Sequence, residues 1–279
     1  MPLLLSDFEY PSWLRVHPET FKLADVDPRH RLDPDGERLR RSVARRLHEE
    51  NLVKLKELQY TMHAEEKRSL LVVFQGIDAA GKDGAIRRTF GPLNPQGVRV
   101  ASFKVPSARE RGHDFLWRVH KRTPQRGYIK IFNRSHYEDV LVVRVHDLVP
   151  EPVWQNRYEH INNFEALLHD NDTIILKFLL VISKEEQRAR LQERLDNPER
   201  TWKFSSADIR ERGFWDKYQE AFEAAVKKTS TENAPWYAIP ADRKWFRNYA
   251  ISTIVRQTLE GQNMEFPAPE PGLEGLVVE

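Results

Sequence analysis

Ser69-Leu-Leu-Val-Val-Phe-Gln75, followed at once by Gly76-Ile-Asp-Ala-Ala-Gly-Lys82, decides how this chain is read. A run with no polar–apolar alternation suits a strand buried on both faces, at the centre of a parallel sheet. The segment after it fits G-x-x-x-x-G-K. Glycines let a backbone curl its N–H groups inward around phosphate oxygens, and a helix opening at Lys82 adds partial positive charge. Lys82 brings a full charge to the same phosphates. Gly76, Ala79, Ala80, Gly81, Lys82, Asp83 and Gly84 are therefore the candidate phosphate cradle. Two residues depart from the usual pattern. Asp83 stands where a Ser or Thr hydroxyl normally holds Mg²⁺. Asp78 places an acid inside the cradle, where it repels phosphate unless a cation intervenes, so it is read as a metal ligand.

Outward from this loop, strand and helix patterns alternate. Helical spacing runs through Gly36–Lys67, Ser107–Arg122, Trp154–Leu168, Lys184–Leu195, Ser206–Lys228 and Arg243–Leu259. Strands are expected at Val98–Val105, Tyr128–Phe132, Thr173–Ile182 and Trp236–Ile239. The alternation predicts an α/β fold, a parallel sheet of about five strands with helices on both faces. Residues 1–68 read as an arm and a helix packing on the core, 69–261 as the core with a lid near 184–212, and 262–279 as an extended tail. In such sheets ligands bind beyond the carboxyl ends of the strands.

Composition narrows the function. The 279 residues hold 44 Lys and Arg against 42 Asp and Glu, so the whole molecule is not a basic nucleic-acid binder. With no cysteine, disulfides, thiolate zinc sites and cysteine nucleophiles are excluded. No apolar run approaches the ~20 residues of a membrane span, and Met1–Leu5 is too short and uncharged for a signal peptide. A cytoplasmic location is expected, with neither nucleic acid nor membrane as a partner.

Chemistry is next expected after the third strand, in Asn133-Arg-Ser-His-Tyr-Glu-Asp139. That strand end faces the phosphate loop and usually carries a metal-binding acid. Here Asn133 takes the first place, and the acids Glu138 and Asp139 come later as candidate ligands. Arg134 is placed to grip a transferred phosphoryl group, because a guanidinium bonds two of its oxygens at once. Between Arg99 and Lys130 nine basic residues face two acids, which marks a polyanion site. Lys104 belongs to it, and Arg118 and Arg122, at i,i+4, lie on one helix face that can track a phosphate chain. Gln187–Arg194 is arginine-rich, with Arg190 and Arg194 on one face, and leads into a segment bearing Lys203. A basic flap of this kind excludes water and adds charge at the transferred group.

Five ordered motifs together resemble the polyphosphate kinase 2 family: G-I-D-A-A-G-K-D-G (Gly76–Gly84), F-K-V-P (Phe103–Pro106), H-D-F-L-W-R (His113–Arg118), F-N-R-S-H-Y-E-D-V (Phe132–Val140) and W-K-F-S (Trp202–Ser205). The likeness extends from about Tyr60 to Glu260. It implies a thymidylate-kinase-like phosphate-loop fold with a helical lid. It implies phosphoryl transfer between inorganic polyphosphate and adenine nucleotides (guanine as the alternative base), dependent on Mg²⁺ (Mn²⁺ as the alternative ion). Many members carry Asp at the position of Asn133, and the Asn form resembles the subgroup acting on both AMP and ADP. The metal role then passes to Asp78 and Asp139, with Glu138 as the further acid. Lys82, Arg134 and Arg194 match the family's phosphate-handling residues, and a homodimer or homotetramer is implied. Two rivals stand beside this reading: an ATP-dependent nucleoside or nucleotide kinase, which Asp83 argues against, and a non-catalytic polyanion binder, which the retained Lys82, Asp78 and Arg134 argue against.

Overall fold

The computed structural model describes residues 5, 8–199, 201–273 and 276–278. Ser69–Gln75 is the strand β1, buried throughout, and it lies in the middle of a sheet with β2 (Val98–Ser102), β3 (Ile129–Asn133), β4 (Thr173–Val181) and β5 (Trp236–Pro240). All neighbours are parallel, in the order β2-β3-β1-β4-β5. Because β1 pairs with β3 on one side and β4 on the other, strand order reverses at β1, which opens a crevice at its carboxyl end. β1 and β4 are buried along their whole length because helices cover both faces.

The longer helices are α1 (Arg41–Glu65), α2 (Lys82–Thr89), α6 (Glu151–His169), α7 (Lys184–Asp196), α8 (Ser206–Gly213), α9 (Trp215–Thr229) and α10 (Lys244–Glu260); the four-residue α3 (Ala108–Arg111), α4 (Trp117–His120) and α5 (Val142–Val145) lie between them. α1 packs on α10 through Leu55 and Met62, both fully buried, and Asn51 Nδ2 donates to Ser252 Oγ at 3.1 Å and Thr253 Oγ1 at 2.9 Å. Among the described residues no helix is long and apolar enough to cross a membrane.

Four elements differ from the sequence reading. The helix expected over Ser107–Arg122 is two short turns. Ser107 closes a capping box on the first, Gly112 ends it, and Asp114 Oδ1 accepts from the Leu116 and Trp117 amides to restart the chain. Arg118 and Arg122 therefore share no helix face. The helix expected over Ser206–Lys228 breaks between α8 and α9 at Phe214, after Gly213. β2 ends at Ser102, because Phe103 turns inward to the Phe132 ring and Pro106 offers no N–H. The arm, for which no strand was expected, pairs with the sheet: the Val16 amide donates to Trp236 O at 2.8 Å and the Ala238 amide to Leu14 O at 3.1 Å, which covers the open edge of β5.

A polar network is sealed in the core between α6, β4 and the turn after β3. Lys177 of β4 and Glu165 of α6 are 0% and 1% exposed and lie 2.5 Å apart. Tyr137 Oη donates to Glu165 Oε1 at 2.8 Å and accepts from Lys177 Nζ at 2.9 Å. His136 Nε2 lies 3.2 Å from the same carboxylate. Burial alone lifts the pKa of a carboxyl, but Lys177 and His136 outweigh that and hold Glu165 below its ordinary range. Lys177→Ala leaves a buried carboxylate without its ammonium and should cost about 3–5 kcal/mol in urea unfolding, whereas the paired change Lys177→Met with Glu165→Leu should cost far less. Equal losses in the two variants would mean that the charge pair is not what the core depends on.

Candidate active site

A loop that offers its N–H groups to an anion must find partners elsewhere for its carbonyls. Here all six carbonyls from Gly76 to Gly81 meet a side-chain donor. Lys82 Nζ donates to Gly76 O at 2.6 Å and to Ile77 O at 3.3 Å. Gln187 Nε2 of α7 reaches Asp78 O at 3.1 Å. Arg190 Nη1, also on α7, reaches Ala79 O at 3.0 Å and Ala80 O at 2.8 Å. Arg247 Nη1 of α10 reaches Gly81 O at 3.1 Å. The remaining donors of Arg190 go to Glu186 and to the carbonyls of Ala241 and Asp242.

Both glycines of the loop are there for geometry. Gly76 has φ +148°, and a Cβ on it would lie 2.8 Å from Leu180 O; Gly81 has φ +101°, and a Cβ on it would collide with Arg247 Nη1. Burial brings Lys82 down to about pKa 8, aided by the nearby Arg134 cation and opposed by Asp78. Burial, with Arg190 adding to it, lowers Arg247 to about 10.

Opposite the loop, the end of β3 delivers Arg134 in a left-handed conformation, φ +59°. Its guanidinium joins the two facing acids, bonding Asp78 Oδ1 and, at 3.0 Å, Glu138 Oε2. The Glu138 carboxylate, against the cost of burial and together with Asp78, raises the Arg134 pKa further. Asn133 Nδ2 donates to Asp83 Oδ1 at 2.6 Å, so the side chain that replaces the usual hydroxyl is held by the residue that replaces the usual acid. Around these groups opens a cleft of about 1760 Å³, lined by twelve Lys and Arg against six Asp and Glu. Arg194 of α7 lines it, 3.8 Å from Asp208, as do Lys104 and Gly84.

Asp139, Arg118 and Arg122 fall outside the cleft. Asp139, expected at a cation, turns away from the cleft: Arg157 Nη1 donates to its carbonyl at 2.9 Å and its Oδ1 at 3.1 Å, and Arg118 stands 4.0 Å off. Burial keeps its pKa up in spite of both arginines. Arg118, expected on polyphosphate, is itself buried; it donates to Lys104 O at 2.8 Å and lies over the Phe103 ring. Arg190, expected on phosphate, lines the cleft, but its guanidinium is engaged by the loop carbonyls and by that of Ala241, just past β5. Arg122 is exposed outside the cleft, and the side chain of Lys203 lies outside the described residues. Sequence reasoning missed Gln187 and Arg247. For Arg247 there was one signal, the lone charged residue in the stretch Trp245–Val255.

Phosphate loop, strand-end arginine, facing acids and basic α7 define a phosphate-loop protein of the kinase-like α/β class. The chain belongs to the polyphosphate kinase 2 family, whose model matches residues 38–267. It is 58% identical over 226 residues to the AMP/ADP-polyphosphate phosphotransferase of Meiothermus ruber, covering 81% of this chain and 85% of that one. With the ADP-polyphosphate phosphotransferase of Rhodopseudomonas palustris it shares 46% identity over 78% of this chain and 80% of that one. The crystal structure of polyphosphate kinase 2 from Arthrobacter aurescens superimposes with a TM-score of 0.89 at 38% identity, covering 95% of this chain and 94% of that one.

Two outcomes follow from the carbonyl clamp and the buried lysine. An ammonium cannot span the carbonyls that the Arg190 fork holds, so Arg190→Lys should lower kcat by about 10²-fold, the scale of an ångström-sized misplacement, with only a small change in Tm. Undiminished kcat would show that the clamp is dispensable. Anion binding needs Lys82 charged, and free Lys82 loses its proton near pH 8. Tripolyphosphate affinity, followed by calorimetry, should therefore fall as pH rises above about 8, with proton uptake on binding, and Lys82→Arg should flatten that profile.

Proposed function

We propose that this chain transfers phosphoryl groups between inorganic polyphosphate and adenine nucleotides, making ADP from AMP and ATP from ADP. The cleft is the observation that carries this reading. It exceeds the ~300–1,000 Å³ of an ordinary small-molecule pocket, and its surplus of cations suits a polymer of phosphates better than a nucleotide alone. Membership of the family and the names of its relatives support the same substrates. Against an ATP-dependent kinase stands Asp83, which lacks the hydroxyl that such enzymes use and faces Asn133 instead.

In the step itself, an anionic oxygen of the nucleotide's terminal phosphate attacks the end phosphorus of the polymer. One P–O bond forms, the bond to the penultimate phosphate breaks, and the shortened polymer leaves with the electron pair. The acceptor is already ionised at neutral pH, since the second phosphate pKa is about 6, so no general base is required. Catalysis then consists of positioning and charge neutralisation. The loop N–H groups and Lys82 hold phosphate oxygens, and Arg134 meets charge on the transferred group. Arg194 brings a further cation from α7, with a lid over 184–212 excluding water.

Mg²⁺, with Mn²⁺ as the alternative, suits these residues. Such an ion takes one or two carboxylates and completes its shell with substrate phosphates and water. Asp78 lines the cleft as one such carboxylate, and Glu138 faces it across Arg134. Among the described residues no three His, Asp or Glu gather into a closed cage, which a phosphate-shared ion does not need. When bound, the ion neutralises the charge of the two polyanions. A homodimer or homotetramer and a cytoplasmic location go with this reading.

The test is production of ADP and ATP from AMP or ADP with polyphosphate and Mg²⁺. Lys82→Ala and Asp78→Asn should each lower turnover by at least about 10²-fold, as loss of one well-aimed group does. Asp78→Asn should also weaken the apparent Mg²⁺ affinity. Asp139→Asn should instead lower Tm and leave the Mg²⁺ dependence in place. A normal Mg²⁺ dependence in Asp78→Asn would remove this acid from the metal site.

A further inference from the structure

We propose that Arg99 and Lys130, with Arg122 beside them, form an outer site that holds polyphosphate beyond the cleft; this rests on the function proposed above. Arg99 of β2 and Lys130 of β3 are direct partners in the parallel register. Like charges placed opposite each other destabilise a sheet. Among the described residues none of the three is ion-paired with a carboxylate, whereas the neighbouring Arg126 has Asp172 at 3.1 Å. Arg99 lies over the Tyr128 ring, which leaves its N–H edges to solvent. Lys130 is half-buried, and burial, together with Arg122 and Arg99, lowers its pKa. An anion is the missing member of such a group, because it relieves repulsion that the fold leaves uncompensated.

Position on the sheet says which anion. β2 has β3 on one side and no strand on the other. Lys104, just past the end of β2, lines the cleft, and Arg99 lies five residues back along the same edge, about 16 Å at ~3.3 Å per residue. The two or three phosphates of a nucleotide in the cleft are too short a run of charge to touch both places. A long phosphate polymer, engaged in the cleft by its end, passes along this edge and meets the outer cations. Each contact displaces counterions, so the site adds affinity and salt dependence for long chains alone, by analogy with nucleic-acid backbones.

The measurement is binding and steady-state kinetics with long-chain polyphosphate and with tripolyphosphate across a salt series. In Arg99→Gln/Lys130→Gln, long-chain affinity should fall about tenfold, and the slope of log K against log salt should become shallower by about 1.4–1.8, two contacts at 0.7–0.9 each. Tripolyphosphate affinity and nucleotide KM should stay within about twofold, a change too small to signal a lost contact. Arg99→Glu gives an independent check. It restores an opposite-charge pair with Lys130, so Tm should hold or rise while long-chain affinity falls. Unchanged long-chain affinity and slope in both variants would overturn the outer site, as would equal losses for tripolyphosphate. Wild-type protein that binds long chains through these residues but turns over no polyphosphate would overturn the proposed function and not the site.

Discussion

Six consecutive carbonyl groups have to be taken out of the way before the loop from Gly76 to Lys82 can present its amides to an anion. The donors that hold them come from three places in the chain: Lys82 within the loop, Gln187 and Arg190 on α7, and Arg247 on α10. This ties the loop to helices that follow it by more than a hundred residues. It also explains why two arginines are tolerated almost without exposure. Each exchanges water for carbonyl oxygens, and hydrogen bonding replaces the lost hydration. α7 thus has two jobs on neighbouring turns: Arg190 holds the loop, and Arg194, four residues on, faces the cleft.

The motif from Phe132 to Val140 divides in the same way between chemistry and support. Asn133, Arg134 and Glu138 face the loop, while Ser135, His136, Tyr137 and Asp139 face inward. Ser135 Oγ accepts from Gln75 Nε2 at 3.2 Å and from the Tyr137 amide at 3.1 Å, which locks the turn to the end of β1. His136 and Tyr137 anchor it to the Glu165–Lys177 pair. The left-handed Arg134 sits between the end of β3 and this anchored turn. Backbone in that region is strained for an arginine and persists only where surroundings over-determine it.

The alternation of apolar strands and amphipathic helices was legible because a parallel sheet buried on both faces leaves few other ways to arrange such runs. Loop, central strand and facing strand end were legible for the same reason, since chemistry there follows the backbone. Side-chain direction was not. A sequence does not say whether Arg190 points to ligand or to carbonyl, or whether Asp139 faces a cation or Arg157 from α6; those outcomes depend on packing between distant elements. The basic stretch was visible as charge, but Gly112 and Asp114 break its helix, so spacing by four did not translate into a shared face. Arg247 went unnoticed because its partner, Gly81, lies 166 positions away.

The arm and α1 are held by elements about two hundred positions further along the chain. Tyr10 Oη donates to Asn233 O at 3.0 Å, the Leu23 amide donates to Glu223 Oε2 at 2.8 Å, and α1 lies along α10. These contacts span about two hundred positions or more, so the chain must be made past Glu223 and Asn233 before the arm has those partners to dock on. Until then the apolar face of α1 and the backbone of Leu14 and Val16, which later pair with β5, wait in solvent or with a chaperone. Docking of the arm is therefore a late event, slow in the way that distant contacts make folding slow.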